Sequence, residues 1–435
     1  MESRHGFDFV KLQFDADGAL QNAPSFEELK NAGATDVILI AHGFRNDEND
    51  ATGLYDRFLT TFRDHLSSGA FPNVAGRKFA VGGVYWPSKP FQESFSGTVQ
   101  GVDSELAQKE AVKAKLMDLK ATVAHSDQKS KIDKAMALLD QVRDNRAAQD
   151  LFVSQVLSLL DSHDHDPTEG VDRIRATDGS VLLDKLKMPI IVSSGPARSE
   201  GGVQSVGAAT TGTAQSLESA FGSVFGRIGQ FLNLTQWYVM KNRSGVVGAA
   251  GVAQAVRDLK AANPAIKIHL VGHSLGGRLM AGCAKSLAES GNHVESLSLL
   301  EAAFSHFGFS SNNGKGEAGF FRAVIDKAVV TGPLIATFSA QDSVVGTVYA
   351  VASRVASDNL KAIGDANDPF GGIGRNGAQK TNEAVIGPLN AVGSPYKFQL
   401  SKINCLDGSG GRIKDHGDVT NPFVTYAVAS AISGT

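Results

Sequence analysis

Three side chains able to perform nucleophilic acyl chemistry follow one another along this chain. Ser274 lies in "VGHSLGG", Asp342 in "SAQDSVV" and His416 in "DHGDV". A serine hydroxyl is a weak nucleophile unless a histidine takes its proton and a carboxylate orients that histidine. The pattern Gly272-His273-Ser274-Leu275-Gly276 is not specific by itself, because the chain holds 47 glycines. The same letters also describe a plain strand-to-helix turn or a phosphate-binding turn. The flanking sequence has to decide.

That sequence has the required order of strand, tight turn and helix. Ile266 to Val271 is a short apolar run, and Gly272 ends it. Gly276 and Gly277 then open a helical pattern that runs to about Leu287. Small residues two positions either side of Ser274 let the helix pack close while the serine projects beyond the strand end. The positive end of the new helix lies beside it and favours a developing anion.

Of eleven histidines, only His416 follows the apolar strand expected over Leu334 to Ala340, in a polar loop before the last helix. Asp342 falls just past the C-terminal end of that strand, where functional groups collect in parallel sheets. The position also suits a simple helix cap. Glu301, ending the preceding strand "LSLLEAAF", is the rival acid. Asp415 and Asp418 are poorer candidates, since sequence neighbours of a histidine rarely face it.

An oxyanion needs two preorganised N–H donors. The Leu275 amide supplies one, and the turn His42-Gly43-Phe44 after the apolar strand "VILIA" supplies the other through Phe44. Gly43 permits the turn. His42 reads as a structural hydrogen-bonding residue more than as a second base, and His273 as a possible support.

The elements that must position these residues alternate. A strand at Val37–Ala41 is followed by a helix with Leu54, Phe58, Phe62 and Leu66 on one face, then by a strand in "KFAVGGVYWP". Strand, helix, strand with continuous apolar runs implies parallel pairing. The N-terminal stretch "MESRHGFDFVKLQFD" reads as a strand. From Ser104 to about Leu160 the chain turns charged and helical, with Leu106, Val112, Leu116, Leu119 and Val123 on one face, then Ile132, Met136, Leu139 and Val142. A small-residue stretch from Gly201 to Gly229 follows; with Phe221, Phe225, Ile228 and Phe231 it is either a lid or an ordered linker. Alternation resumes with a helix in "GVVGAAGVAQAVRDLK", strands near 266–271, 294–300 and 334–340, a helix near 320–330, and a last strand over Lys397–Leu406. The expected division is an N-terminal part of the core at 1–96, a helical, glycine- and serine-rich cap-like insertion at 97–235, and the rest of the core at 236–435. The fold class is α/β: a mainly parallel sheet flanked by helices and interrupted by that insertion.

Together, "HGF", "VGHSLGG", "SAQDSVV" and "DHGDV" resemble the α/β-hydrolase superfamily of the serine esterase and lipase type. The stretches "VYWPS" and "VMKNRSGVVG" are similar to a bacterial group of α/β-hydrolases whose substrates are unassigned. The resemblance covers about 35–90 and 235–435, and the insertion carries none of it. It implies a carboxylic-ester hydrolase in which Ser274 attacks, His416 is base and then acid, Asp342 orients His416, and the Phe44 and Leu275 amides hold the oxyanion. No metal or organic cofactor is implied; the substrate is a small-molecule or lipid ester. Acyl transfer or peptide cleavage at the same residues, and a non-catalytic binding module on this scaffold, are the alternatives.

Composition excludes other classes. At 42% hydrophobic and 20% charged, with a formal charge of −3, the 435-residue chain offers no basic surface for nucleic acid. No apolar run approaches the length of a membrane span, and the charged N-terminus is unlike a signal peptide, so a cytoplasmic protein is expected. Two cysteines, Cys283 and Cys405, make no disulfide framework, and Cys283 falls on an apolar helix face. "GGIGRNG" contains Gly372-x-Gly374-x-x-Gly377, but no apolar strand precedes it, so a loop near the rim of the site is expected. "DSHDHD", Asp161 to Asp166, reads as a solvated helix end more than as a cation site.

Overall fold

The computed structural model describes residues 1–89, 105–123, 125–160, 166–187, 223–313, 316–356 and 370–435. Nine strands form one sheet: β1 (Glu2–Arg4), β2 (Phe7–Gln13), β3 (Asp36–Ala41), β4 (Phe79–Tyr85), β5 (Lys267–His273), β6 (Ser296–Leu300), β7 (Leu334–Phe338), β8 (Ala384–Pro388) and β9 (Ile403–Asp407). Their order is β1-β2-β4-β3-β5-β6-β7-β9-β8. Only β1 and β2 pair antiparallel. The strand expected at the N-terminus is thus a hairpin, turned at His5 and Gly6, both with positive φ.

The central strands are buried along their whole length because helices cover both faces. In β3, Val37, Leu39 and Ala41 join the core that includes Leu275, Leu279 and Cys283 of the helix Leu275–Ser290. Ile38 and Ile40 face the other way, onto Tyr55, Phe58 and Phe62 of the helix Glu48–Ser67 and Val428 of the helix Pro422–Ser433. This is the period-2 geometry of a strand covered on both sides, and it explains why the sequence there is a continuous apolar run.

After β3 the chain steps outward to β4 and then returns past β3 to β5. Such a reversal leaves a crevice at the strand C-termini. Ala41 pairs with Gly272, so the 42–44 turn and the serine turn emerge side by side at that point.

Between β4 and β5 lie the helices Glu105–Thr122, Ser126–Ala137 and Arg146–Leu157 and several shorter ones. Val112, Leu116, Leu119, Val123, Ile132, Leu139 and Val142 are buried and Met136 is partly buried, but Leu106 is 70% exposed. Leu106 lies one residue into its helix. The helix Val224–Val246 buries Phe225, Ile228 and Phe231 and continues through a π-helical turn, Val247–Val252, into Ala253–Ala262. The boundary expected at 235/236 lies inside that helix, and the three aromatic and aliphatic residues are helical core, not linker or lid. Phe221 and the rest of 201–222 lie outside the described residues.

Other elements are shorter than the sequence suggests. The helix near 320–330 is the five-residue Arg322–Asp326, and the last central strand starts at Ile403. Strand β8, unanticipated, is an exposed edge whose side chains lack a buried face. Among the described residues no helix is long and apolar enough to cross a membrane.

Candidate active site

Ser274 stands between β5 and the helix Leu275–Ser290 with φ 58° and ψ −125°. A non-glycine residue held there costs about 1–3 kcal/mol, which the surroundings must offset. Its N–H donates to Leu300 O at 3.0 Å, and its carbonyl accepts from Ala303 N–H at 3.0 Å and Gly277 N–H at 2.9 Å. The backbone following β6 thus grips the serine from both sides. A Cβ at Gly276 would lie 2.3 Å from Ala41 O, so only glycine lets the helix start this close to β3.

The 42–46 turn is fastened by "VYWPS". Trp86 stacks on His42 with ring centroids 5.6 Å apart, and its Nε1–H donates to His42 O at 3.0 Å. Ser88 Oγ donates to Asn46 O at 2.9 Å, and Arg45 N–H donates to Ser88 O at 3.1 Å. Arg243, from "VMKNRSGVVG", donates to Pro87 O at 2.8 Å, joining the two distant stretches.

His42 Nδ1 lies 3.0 Å from Gly43 O. A carbonyl oxygen only accepts, so Nδ1 carries the proton and donates. In a trans peptide the C=O and N–H point opposite ways. Tethering Gly43 O to the His42 ring therefore turns the Phe44 N–H away from that ring. Burial pushes His42 down to about 4, keeping it neutral. A Cβ on Gly43 would lie 2.7 Å from Ser274 Cβ, so the turn can approach the serine only with glycine there. Leu275 opens its helix, and its N–H, in the first turn, has no intrahelical acceptor.

His416 is 3% exposed and Asp342 wholly buried. His416 Nδ1 lies 2.8 Å from Asp342 Oδ2, and Asp342 Oδ1 accepts Val345 N–H at 2.9 Å. Nδ1–H donates to the carboxylate, which leaves Nε2 with its lone pair, the tautomer a general base requires. Asp342 is a helix cap and a histidine partner at once. Asn421 secures the His416 loop: it caps the helix Pro422–Ser433 and donates from Nδ2 to Asp418 O at 2.6 Å and Arg412 O at 2.9 Å. His273 Nε2 reaches His416 O at 2.8 Å, and burial pushes His273 down to about 3.

Ser274 and His416 line one pocket with Gly43, Phe44 and His273. No direct hydrogen bond joins Ser274 Oγ to His416 Nε2. In acid–base sites that bond is often long before substrate binds. The remaining wall is largely apolar: Trp237, Ala303, Val344, Val345 and Val348. Sequence reading missed these. The repeat of valines in "SVVGTV" at one helical face was the available signal, whereas Trp237 had none.

Trp237 packs edge-on against Tyr349, centroids 5.6 Å apart, with Lys241 Nζ 4.5 Å from its ring centre. Lys241 pairs with Glu169 in full burial and donates to Tyr349 OH at 2.8 Å. Burial pushes Lys241 down to about 8.

Glu301 is wholly buried with φ 44°, and it is Asp342, not Glu301, that meets His416. Asp415 and Asp418 face their own turn, accepting Gly417 N–H at 2.8 Å and Lys414 N–H at 3.1 Å. "GGIGRNG" is not at the rim: Ile373–Asn376 is a short helix, and Gly374 packs on the Glu301 backbone. Cys283 is buried, as its helix face implied. In "DSHDHD", 161–165 lie outside the described residues, while Asp166 is buried and caps the turn Pro167–Glu169.

Comparison of the chain with protein-family models, curated proteins and solved structures finds no match in any of the three.

Proposed function

We propose that this chain is a serine hydrolase of α/β-hydrolase type that cleaves carboxylic esters. The observation carrying the reading is the His416 Nδ1–Asp342 Oδ2 hydrogen bond of 2.8 Å beside a serine held at φ 58° in the same pocket. A plain glycine-rich turn accounts for neither the strained serine nor the buried, correctly tautomeric histidine.

Ser274 Oγ attacks the acyl carbon while His416 Nε2 takes its proton. The oxyanion forms against the Phe44 and Leu275 N–H groups, where removing one donor typically costs about 10²–10³ in kcat. Collapse breaks the ester C–O bond, and the departing alcohol receives the proton from His416. Water, deprotonated by His416, then attacks the acyl-enzyme, releasing the carboxylic acid and restoring Ser274. The apolar wall of Trp237, Val344, Val345 and Val348 favours an apolar acyl group. The helices between β4 and β5 act as a cap, of which the helix Val224–Val246 contributes Trp237 to that wall.

Hydrolysis of p-nitrophenyl esters of graded acyl length tests this. Wild type should turn over, with Ser274→Ala and His416→Ala reduced by at least about 10³-fold. Equal rates for wild type and both variants would remove the reading.

A further inference from the structure

Two polar residues share the pocket wall with the apolar ones: Arg45 and Asn46, in the turn that follows Phe44. Asn46 is 8% exposed. Its main chain is engaged by Ser88, whose Oγ accepts the Asn46 N–H at 3.2 Å and donates to Asn46 O at 2.9 Å. Arg45 bends the turn with a left-handed φ of 61°, and its N–H donates to Ser88 O at 3.1 Å. Main-chain bonds therefore hold this turn, and the Asn46 side chain takes no part in them.

An asparagine just before a helix usually caps it or bonds within its own turn. Asn46 does neither. The helix Glu48–Ser67 is capped by Asp47, whose carboxylate accepts the Asp50 N–H at 2.9 Å, while Asp50 accepts the Asp47 N–H at 3.1 Å. Among the described residues the Asn46 amide, Oδ1 and Nδ2 alike, meets no hydrogen-bond partner. A buried amide without a partner is costly, and leucine would fill the same space without that cost. The surface that Asn46 borders is the pocket of Ser274 and His416. Val344, Val345 and Val348, on the helix Ser343–Ala356, supply only apolar contact to the same pocket.

We propose that Asn46 is a specificity-determining residue: its side-chain amide hydrogen-bonds a hydroxyl on the alcohol half of the ester, while the valine wall takes the acyl half. The substrate class is then an ester of a polyol or other hydroxylated alcohol. A hydroxyl both donates and accepts, which matches an amide that offers Oδ1 and Nδ2–H together. A carboxylate only accepts, and Oδ1 would repel it. A plain alkyl group would leave the amide unpaired in the bound state. Asn46 stands two residues beyond Phe44, the proposed oxyanion donor, on a different element from the valines. The assignment of alcohol and acyl halves rests on the proposed hydrolase reading.

The test compares matched esters that differ only by a hydroxyl against a methyl group. Wild type should cleave hydroxyethyl butyrate with kcat/KM about tenfold above propyl butyrate. In Asn46→Leu that ratio should fall to about one, whereas Asn46→Asp, which still accepts from a hydroxyl, should keep the preference. A wild-type ratio near one, or a ratio unchanged in Asn46→Leu, overturns the proposal. So does a hydroxyl preference confined to the acyl half, read from ethyl β-hydroxybutyrate against ethyl β-methylbutyrate. A second arm needs no turnover. In the isotope-labelled full chain carrying Ser274→Ala, the Asn46 side-chain amide NMR signals are assigned by their loss on adding Asn46→Ala. They should shift at an about tenfold lower concentration of hydroxyethyl butyrate than of propyl butyrate. Equal midpoints overturn the proposal, as does tighter binding of butyryl glycolate, whose alcohol half is anionic. A selective shift in a chain that cleaves no ester would end the hydrolase reading and leave Asn46 a hydroxyl-binding residue. Cleavage without the preference would end the role of Asn46 alone.

Discussion

His273, the residue immediately before the candidate nucleophile, donates its Nε2–H to the backbone carbonyl of His416 at 2.8 Å. The serine turn therefore holds the loop of His416, the proposed base. The two rings lie 4.8 Å apart, and His273 Nδ1 has no partner among the described residues. Nε2 alone ties this side chain to the loop.

His273→Phe keeps the ring and removes the donor. A shift of the base by a fraction of an ångström is costly, so kcat should fall about 10–10²-fold with KM little changed. Steady-state ester kinetics check this, with circular dichroism to establish that the variant folds. Activity within twofold of wild type would show that the loop holds itself.

The proposed oxyanion turn gives a paired expectation. His42→Phe removes the tether on the Gly43 carbonyl and lets the 43–44 peptide rotate, lowering kcat by about 10–10²-fold. Gly43→Ala forces a Cβ to 2.7 Å from Ser274 Cβ and should cost at least as much. Binding of a boronic acid, which becomes tetrahedral on the serine, should weaken in parallel with kcat in both variants.

Much of this was legible because strong local patterns coincide with the site. The runs in β3 and β5 are apolar throughout since helices cover both faces, and the glycines at 43 and 276 mark close backbone approaches. What was not legible depends on long-range packing. Nothing local distinguishes Asp342 from Glu301: both are acids at strand ends, and the loop of His416 decides between them. Trp237 enters the pocket on a helix whose start, at Val224, was hidden behind a small-residue stretch. Strand β8 has no buried face to leave a hydrophobic signature, and Leu106 shows that periodicity at a helix start need not mean burial.

Stability should fall on acidification from two sources with the same sign. His42 and His273 are held neutral by burial, near 4 and near 3, so below about 6.5 the unfolded chain binds protons that the folded one refuses. Each withdraws roughly 2–3 kcal/mol by pH 4. Asp36, buried and paired with His269 and Arg77, is held below the usual carboxylate range despite its burial. Its contribution is present above about pH 4 and is lost as pH falls further. Urea denaturation at pH 7, 5.5 and 4 should show a continuous decline, and His42→Phe should flatten its upper part. A flat profile would contradict the buried-neutral assignment.

Lys241→Met removes the cation from a buried pair and leaves Glu169 with Ser305 N–H at 2.8 Å and Tyr349 OH at 3.1 Å. Destabilisation of about 3 kcal/mol is expected, measurable by denaturant titration. Because Lys241 also lies over Trp237, the ester KM should rise more than kcat falls. An unchanged KM for apolar esters would detach Trp237 from substrate binding.

The central claim is that Ser274 is an activated nucleophile. It is tested most directly by incubating the full chain with a fluorophosphonate and locating the adduct by peptide mass spectrometry. The account predicts one adduct, on Ser274, absent in Ser274→Ala and strongly slowed in His416→Ala. Folded wild type that stays unlabelled, or is labelled elsewhere, would contradict it.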